Sequence, residues 1–162
     1  MKKNHQVVVI MGSDSDWKVM KRAKEILDLF EVPFFAQVLS AHRTPNDLAL
    51  FAKKSEENGI KIIISGAGGA AHLPGMMAAF TTLPVIGVPI NANALNGMDA
   101  LLSIAQMPEG IPVATVAIDG ASNAALLAIR MLALEDPNLA TRLKSYQKDL
   151  ANASRKKTAN LK

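Results

Sequence analysis

The stretch "QVVVIMGSDSDW" (residues 6–17) decides the fold class, because a near-continuous apolar run is followed at once by a short polar turn and a helical pattern. A strand that is apolar on both faces is typical of a parallel sheet covered by helices on both sides. Four further strand candidates follow at residues 34–39, 60–65, 84–89 and 113–118. The sequence therefore predicts a parallel five-stranded sheet.

Helical patterns alternate with these strands. Apolar residues recur at helical spacing within 16–30, and the other helix candidates are 45–57, 74–81, 97–106, 122–134 and a basic segment at 138–151. This alternation predicts a three-layer, doubly wound α/β domain with the flavodoxin-like strand order. Gln37 interrupts the apolar run 34–39 and indicates a position nearer the edge of the sheet. We expect residues 1–162 to form a single domain with a basic C-terminal helix or tail from about residue 138.

Composition excludes several classes of function. The chain has no cysteine, which rules out disulfides, thiolate nucleophiles and cysteine-based zinc sites and suits a reducing cytoplasm. The three histidines (His5, His42 and His72) are scattered, so no metal site is expected. The apolar run near the N-terminus is short and ends in acidic residues, which argues against a signal peptide, and no run approaches the length that spans a membrane.

The net charge of +4 raises the question of nucleic-acid binding. Residues 1–136 carry a net charge of −2 and residues 137–162 a net charge of +6, so the basic charge belongs to the C-terminal segment alone. A solvated tail is the favoured interpretation, and no nucleic-acid partner is expected. Salt-dependent retention on DNA that is lost when residues 152–162 are deleted would support the alternative, a polyanion-binding arm.

Three loops follow predicted strands at their carboxyl ends, where doubly wound sheets bind ligands. In "SAHRTP" (40–45), Thr44 suits a helix N-cap and Pro45 the first helical position, so both are explained without any function. His42 and Arg43 are not explained in this way. Histidine exchanges protons near neutral pH, and arginine offers a planar fork for phosphate or carboxylate. We therefore expect His42 to be catalytic and Arg43 to bind an anion.

The loop "GSDSDW" (12–17) enters a predicted helix. Ser13, Ser15 or Asp16 can cap that helix, and the same free amides form an anion site when a phosphate arrives. At least one of the two aspartates should face a neutral group such as a ribose diol. Serines with Arg43 for phosphate and an aspartate for ribose indicate a mononucleotide site.

The loop "GAGGAAHLPG" (66–75) fits the dinucleotide pattern, but the acidic residue expected about 20 positions later is missing from "PVIGVPINANA". We therefore discount NAD(P). Glycines such as Gly68 let a small or planar substrate lie against bare backbone. His72 lies near a helix start, where the dipole favours neutral imidazole, and either contacts substrate or hydrogen-bonds the loop. A non-catalytic flavodoxin-like module that binds FMN or another mononucleotide is the alternative, although only Trp17 is placed to stack on a flavin.

The segments "MGSDSDW", "SAHRTP", "GAGGAAHLPGMMAA", "GVPI" and "SIAQMPEGIPVATVAI" together resemble the N5-carboxyaminoimidazole ribonucleotide mutase family of bacterial purine (IMP) biosynthesis, from about Val7 to Leu134. Arg43 and Asp14 favour this branch over related carboxylases that use free CO2. The resemblance implies that a carboxyl group moves from the exocyclic nitrogen to ring carbon 4 of aminoimidazole ribonucleotide, without a metal or an organic cofactor.

The resemblance also implies roles for individual residues. His42 would be the single acid–base group, Ser13 and Arg43 would bind phosphate, and Asp16 would bind ribose. The backbone of 66–71, which includes Gly68, would hold CO2 together with Ser40 and Ala41.

The resemblance further implies a homo-octamer in which Met107 and Pro108 of one subunit cover the imidazole ring of the substrate bound to a neighbouring subunit. The segment "ASNAALLAIRMLAL" supports an oligomer independently, because it is apolar on nearly every face. The loop "AIDGASNAALL" is about two residues shorter than the corresponding loop of the family, and Asp119 stands where the family has glycine, which puts the local subunit packing in doubt.

Overall fold

The computed structural model describes residues 5–92, 95–158 and 161. Five parallel strands form one sheet in the order β2-β1-β3-β4-β5. The strands are β1 (Val7–Met11), β2 (Phe34–Val38), β3 (Ile62–Gly68), β4 (Val85–Ile90) and β5 (Ala114–Thr115). The predicted α/β class, the five-stranded parallel sheet and the flavodoxin-like order are confirmed. The prediction that residues 34–39 lie at an edge is also confirmed, because β2 is the first strand of the sheet and is partly exposed along its length.

Helices connect the strands. They are α1 (Trp17–Leu29), α2 (Pro45–Lys54), α3 (His72–Phe80), α4 (Met98–Ala105), α5 (Ala121–Leu132) and α6 (Pro137–Lys157), and a 3-10 turn at Asp14–Asp16 precedes α1. Every predicted helix has a counterpart at nearly the predicted bounds. The largest difference is α6, which continues to Lys157 rather than ending near residue 151, so the basic residues 155–157 belong to a helix.

The two faces of the sheet are covered by different helices. On one face, Ile10 and Ile63 belong to a buried apolar cluster that includes Leu48 of α2, Met77 of α3 and Ile104 of α4. On the other face, α1 approaches the sheet where β3 has a glycine: a Cβ on Gly66 would lie only 2.9 Å from the Cε atom of Met20. The absence of a side chain at residue 66 therefore allows α1 to pack close to the sheet.

Two strands differ in extent from the prediction. The fifth strand, expected over 113–118, is limited to Ala114 and Thr115, which pair with Ile86 and Gly87. The chain then keeps only isolated bonds to β4, such as that from the Val116 N–H to the Gly87 carbonyl (3.1 Å). The third strand, expected over 60–65, continues to Gly68, because residues 66–68 pair with the carboxyl half of β4.

The chain divides into two compact units, residues 1–128 and residues 129–162. The first contains the sheet and the helices up to most of α5. The second contains the end of α5 and the long helix α6, whose N-terminus is capped by Asp136: its Oδ1 atom accepts from the backbone N–H groups of Asn138 (2.9 Å) and Leu139 (3.1 Å). The single-domain assignment stays a prediction. No helix in the described ranges is long and apolar enough to cross a membrane.

Candidate active site

The three candidate loops meet around a cavity of about 420 Å³ at the carboxyl edge of the sheet. Strand β1 lies between β2 and β3, so the loops that follow these three strands are neighbours. All seven site residues proposed from the sequence line this cavity: Ser13, Asp16, Ser40, His42, Arg43, Gly68 and His72. The structure therefore brings the whole candidate set together at one place, and its volume suits a small ligand.

The first loop is held by reciprocal hydrogen bonds around Ser13. Its Oγ atom accepts from the Ser15 N–H (3.4 Å), while its own N–H donates to Oδ2 of Asp16 (3.2 Å). These bonds form a capping box for the 3-10 turn, as the capping interpretation expected. They also fix the carboxylate of Asp16, a residue that is only 9% exposed.

Burial of Asp16 raises the pKa of its carboxyl group above the ordinary value of 3.8. The raising effect of desolvation is opposed by hydrogen bonds from the backbone of Ser13 and Gly12. Removing a carboxylate from water costs free energy, so an acidic residue that is desolvated at the wall of a cleft is typical of functional sites.

Asp14 has a different environment from Asp16. Its Oδ1 atom accepts from the Ser13 hydroxyl (3.1 Å) and from the Ser15 N–H (3.0 Å). A carboxylate therefore occupies the donors of this loop that were predicted to bind a phosphate. Sequence reasoning identified the donors but missed this internal acceptor, although an acidic residue directly after Ser13 was a signal for it.

Arg43 links the second loop to the first. Its Nη2 atom donates to the Gly12 carbonyl (2.8 Å), and its Nε atom donates to Oγ of Ser40 (3.1 Å). The guanidinium is thereby directed across the mouth of the cavity toward the Ser13 loop. Thr44 is the N-cap residue of α2, but its side chain forms no capping bond. Its hydroxyl instead donates to the Ser40 carbonyl (3.0 Å) and braces the loop, which corrects the expected capping role.

His42 and His72 are in direct contact. The Nε2 atom of His42 lies 2.8 Å from the Nδ1 atom of His72, and the two rings are nearly perpendicular at 89°. Such a hydrogen bond needs one donor and one acceptor, so a single proton lies between the two nitrogens. His72 begins α3 directly after Ala71, whose backbone is left-handed (φ 42°). The sequence left open whether His72 contacts substrate or the loop, and it did not predict the contact with His42.

Gly68 at the end of β3 forms another part of the cavity wall. A Cβ atom on Gly68 would lie 2.6 Å from Cβ of Ala92 and 3.1 Å from the Ile90 carbonyl oxygen, so the ends of β3 and β4 approach closely only because residue 68 is glycine. Ala92 lines the cavity as well. It was not predicted, although its position two residues after β4 was a signal.

A histidine pair, an arginine and the Ser13 loop therefore line one cavity. The family model described as "AIR carboxylase" matches residues 6–153. The chain belongs to the AIR carboxylase family. Because the match includes all three loops and all six helices in part or in full, it extends well beyond the site itself.

Relatives with the mutase name are similar over nearly the whole chain. The N5-carboxyaminoimidazole ribonucleotide mutase of Pyrococcus horikoshii is 58% identical over 155 residues, which cover 96% of this chain and 88% of that protein. The mutase of Mycobacterium tuberculosis is 54% identical over 156 residues, covering 96% and 90%. Archaeal relatives therefore occur beside bacterial ones, and the expectation of a bacterial family was too narrow.

A solved structure shares the fold at full length. The crystal structure of Treponema denticola PurE superposes with a TM-score of 0.88 at 30% sequence identity, covering 97% of this chain and 98% of that one. The whole AIR carboxylase family fold is therefore present in this chain.

Two residues singled out from the sequence lie outside the cavity of this AIR carboxylase family member. Trp17, on which flavin stacking would depend, is not among the residues that line the cavity. Met107 does not line it either and instead contacts α3: a Cβ on Gly75 would lie 2.8 Å from the Met107 sulfur. Among the residues that the structure describes, no three histidine or acidic side chains are grouped as metal ligands.

A larger cavity of about 950 Å³ lies at the opposite edge of the sheet, near the first residues of β4 and β5. It is lined by residues such as Lys53, Glu56 and Phe80, and the ammonium group of Lys53 lies 5.7 Å from the centre of the Phe80 ring. The described residues around it include no histidine and no arginine. The smaller cavity, which has both, is therefore the candidate active site despite its size.

Proposed function

We propose that the chain is an N5-carboxyaminoimidazole ribonucleotide mutase of purine biosynthesis, which moves the carboxyl group from the exocyclic nitrogen to ring carbon 4. The observation that carries the proposal is the position of His42, held by His72 in a cavity between an anion-binding loop and a glycine-lined wall. The identity of 58% with a protein of that name over 96% of the chain supports the same reaction.

The substrate binds through its ribose phosphate. Arg43 and the Ser13 loop lie at the same end of the cavity, linked by the hydrogen bond from Arg43 to the Gly12 carbonyl, and together offer charge and N–H and O–H donors to a phosphate. Asp16, whose carboxylate faces the same cavity, accepts from the ribose hydroxyls. The imidazole ring then extends toward His42 and Gly68.

His42 performs both proton transfers. Its imidazolium form donates a proton to the carbamate nitrogen, the nitrogen–carbon bond breaks, and aminoimidazole ribonucleotide and CO2 are formed. Ring carbon 4 attacks the CO2, and the neutral imidazole removes the proton from that carbon. Each transfer leaves His42 in the form that the other requires. His72 holds the His42 ring through the 2.8 Å hydrogen bond, so the ring keeps one orientation through both steps.

CO2 must stay in the site between the two steps, because its escape would end the transfer. Of the predicted segment 66–71, the residues Ala67, Gly68, Ala70 and Ala71 line the cavity, and with Ser40 and Ala41 they form the cage. Alanine and glycine dominate this part of the cavity, and their small or absent side chains leave an apolar space that does not hold water strongly.

The proposed assembly is a homo-octamer that works in the cytoplasm. Support comes from an exposed apolar stripe on and before α4, where Leu95, Met98 and Leu102 are 63%, 48% and 49% exposed. A neighbouring subunit would cover this stripe, and the Met107–Pro108 segment of one subunit would complete the site of another. Sedimentation velocity tests the assembly, and a monomer at assay concentration would contradict it.

The function is tested by an absorbance assay in the reverse direction, the breakdown of carboxyaminoimidazole ribonucleotide, with EDTA present and bicarbonate absent. The wild-type protein should be active, and His42→Asn should fold and bind nucleotide yet react at least about a hundredfold more slowly. His5→Asn is the matched control, because His5 contacts Phe35 outside the cavity and should keep full activity. Wild-type turnover by His42→Asn would remove His42 from its role.

A purified protein that binds FMN tightly and has no turnover would favour the flavodoxin-like alternative.

A further inference from the structure

The residues that follow β4 form part of the wall of the active site. Ala92 lines the cavity, and its Cβ atom lies against the bare face of Gly68. Both Asn91 and Ala92 are exposed, so burial does not fix this part of the backbone. Something other than the apolar core must therefore hold it at the contact with Gly68.

Asp119 supplies two hydrogen bonds to this segment. Its Oδ1 atom accepts from the Asn91 N–H (3.0 Å), and its own N–H donates to the Pro89 carbonyl (2.8 Å). The two bonds hold the chain on both sides of Ile90, the residue whose carbonyl oxygen also faces Gly68. A single residue 28 positions further along the chain thus anchors the carboxyl end of β4.

The backbone of Asp119 is in the left-handed region, with φ of 57°. Glycine adopts this conformation without strain, and aspartate tolerates it better than most other residues. The resemblance implied a glycine at this position and put the local packing in doubt. Asp119 adopts the left-handed conformation that a glycine would adopt, and its carboxylate adds an acceptor for Asn91.

The residue before Asp119 keeps this turn in place. A Cβ atom on Gly97 would lie 2.6 Å from Cγ2 of Ile118 and 3.4 Å from Cα of Asn91. Ile118 is thus packed directly against Gly97, beside Asn91. The turn at Ile118 and Asp119 is held by packing on one side and by hydrogen bonds to β4 on the other.

We propose that Asp119 is a positioning residue for the carboxyl transfer, acting through Asn91 to hold Ala92 against Gly68. This inference rests on the proposed function, in which that wall helps to retain CO2 between the two proton transfers. Loss of the Asp119 carboxylate loosens the wall and lets CO2 escape, whereas the phosphate and ribose contacts, made by other loops, persist. The effect therefore falls on kcat and on the ratio of products rather than on KM.

The test compares Asp119→Gly with Asp119→Asn. Glycine keeps the left-handed backbone and removes the acceptor, while asparagine keeps an acceptor oxygen in the same place. Asp119→Gly should lose at least about tenfold in kcat with KM within about twofold, and release more free aminoimidazole ribonucleotide per turnover. Its Asn91 amide proton should exchange at least about fivefold faster. Asp119→Asn should restore at least about half of the wild-type kcat and the slow exchange at Asn91.

Wild-type kcat and product ratio in Asp119→Gly would overturn the proposal, as would an Asp119→Asn variant no better than Asp119→Gly. The exchange rate at Asn91 separates this outcome from failure of the proposed function, because it needs no substrate. If the wild-type protein does not catalyse the reaction, the proposed function is wrong. If it does, and exchange at Asn91 is unchanged in Asp119→Gly, the positioning role alone is wrong.

Discussion

A methyl group added at Gly68 tests whether the close approach of β3 and β4 sets the shape of the active site. In Gly68→Ala, the new Cβ would lie 2.6 Å from Cβ of Ala92, about 1 Å closer than carbon atoms pack comfortably. The Ile90 carbonyl oxygen, at 3.1 Å, is backbone within the sheet, so Ala92 must move instead. Overpacking of this kind costs about 1–3 kcal/mol, which lowers Tm by about 2–12 °C for a chain of this size.

Gly66→Ala is the matched control, because residue 66 lies on the same strand and the same face as residue 68. Its Cβ would press against the sulfur and Cε atoms of Met20 and lie 3.0 Å from Cδ1 of Ile90, all of which belong to the outer parts of flexible side chains. These ends can shift without moving the wall of the cavity, which residue 66 does not line. Gly66→Ala should therefore lose a similar amount of stability while the site stays intact.

The assay measures kcat and KM for both variants at a temperature well below either Tm, together with thermal unfolding by circular dichroism. Gly68→Ala should lose at least about tenfold in kcat, because a displacement of about 1 Å at a reacting centre is costly. Gly66→Ala should keep kcat within about twofold of wild type. The reasoning is refuted if Gly68→Ala loses stability as expected yet keeps wild-type kcat, or if both variants lose activity equally.

Substitutions at four further residues test the described contacts. Burial raises the pKa of the Asp16 carboxyl group above its unfolded value of 3.8, so its ionisation lowers the free energy of unfolding as the pH rises from 3.8 through the higher pKa of the folded state. Asp16→Asn should therefore be more stable than wild type in urea at pH 7, by a margin that shrinks toward pH 4. The same variant should lose nucleotide binding. Ser65 is fully buried and its hydroxyl has no partner in the described chain, so Ser65→Ala should raise the free energy of unfolding by about 1 kcal/mol. Ser55→Ala, which removes a 2.8 Å bond to the Phe51 carbonyl, should lower it by about 1 kcal/mol, and calorimetry that gives both the same sign would contradict the assignment. Asp136→Ala should destabilise α6 by about 1 kcal/mol in thermal unfolding, while Asp136→Asn, which keeps a capping oxygen, should not.

The strands of this protein could be predicted from sequence where burial on both faces leaves a continuous apolar pattern. The extent of β3 and β5 could not. "VATVAI" has strand character over six residues, yet only Ala114 and Thr115 find ladder partners on β4. Conversely, Gly66 and Gly68 lower the strand propensity of β3, but β4 continues alongside and supplies their pairing. Strand length thus depends on the neighbouring strand, which local sequence does not specify.

The residues of the candidate site could be predicted because the carboxyl ends of adjacent parallel strands share one edge. Their mutual contacts could not. The hydrogen bond between His42 and His72 joins residues 30 positions apart, and His72 follows a left-handed residue, Ala71, whose conformation the sequence did not indicate. The anchoring of Asn91 by Asp119 likewise depends on a turn whose conformation only the folded chain defines.

The hydrogen bonds of the loop 12–17 bear on how a segment with two aspartates would receive the phosphate of the proposed substrate. Asp16 accepts from the Ser13 N–H and is largely buried, so it leaves the Ser13 hydroxyl and the Ser15 N–H to another acceptor. Asp14, which is exposed, occupies those donors through the Ser13 hydroxyl and the Ser15 N–H. In the proposed complex, a phosphate replaces one carboxylate on donors that are already oriented, and Asp14 turns into solvent. Binding then requires little reorganisation of the backbone, and its free energy is the difference between two anions on one set of donors.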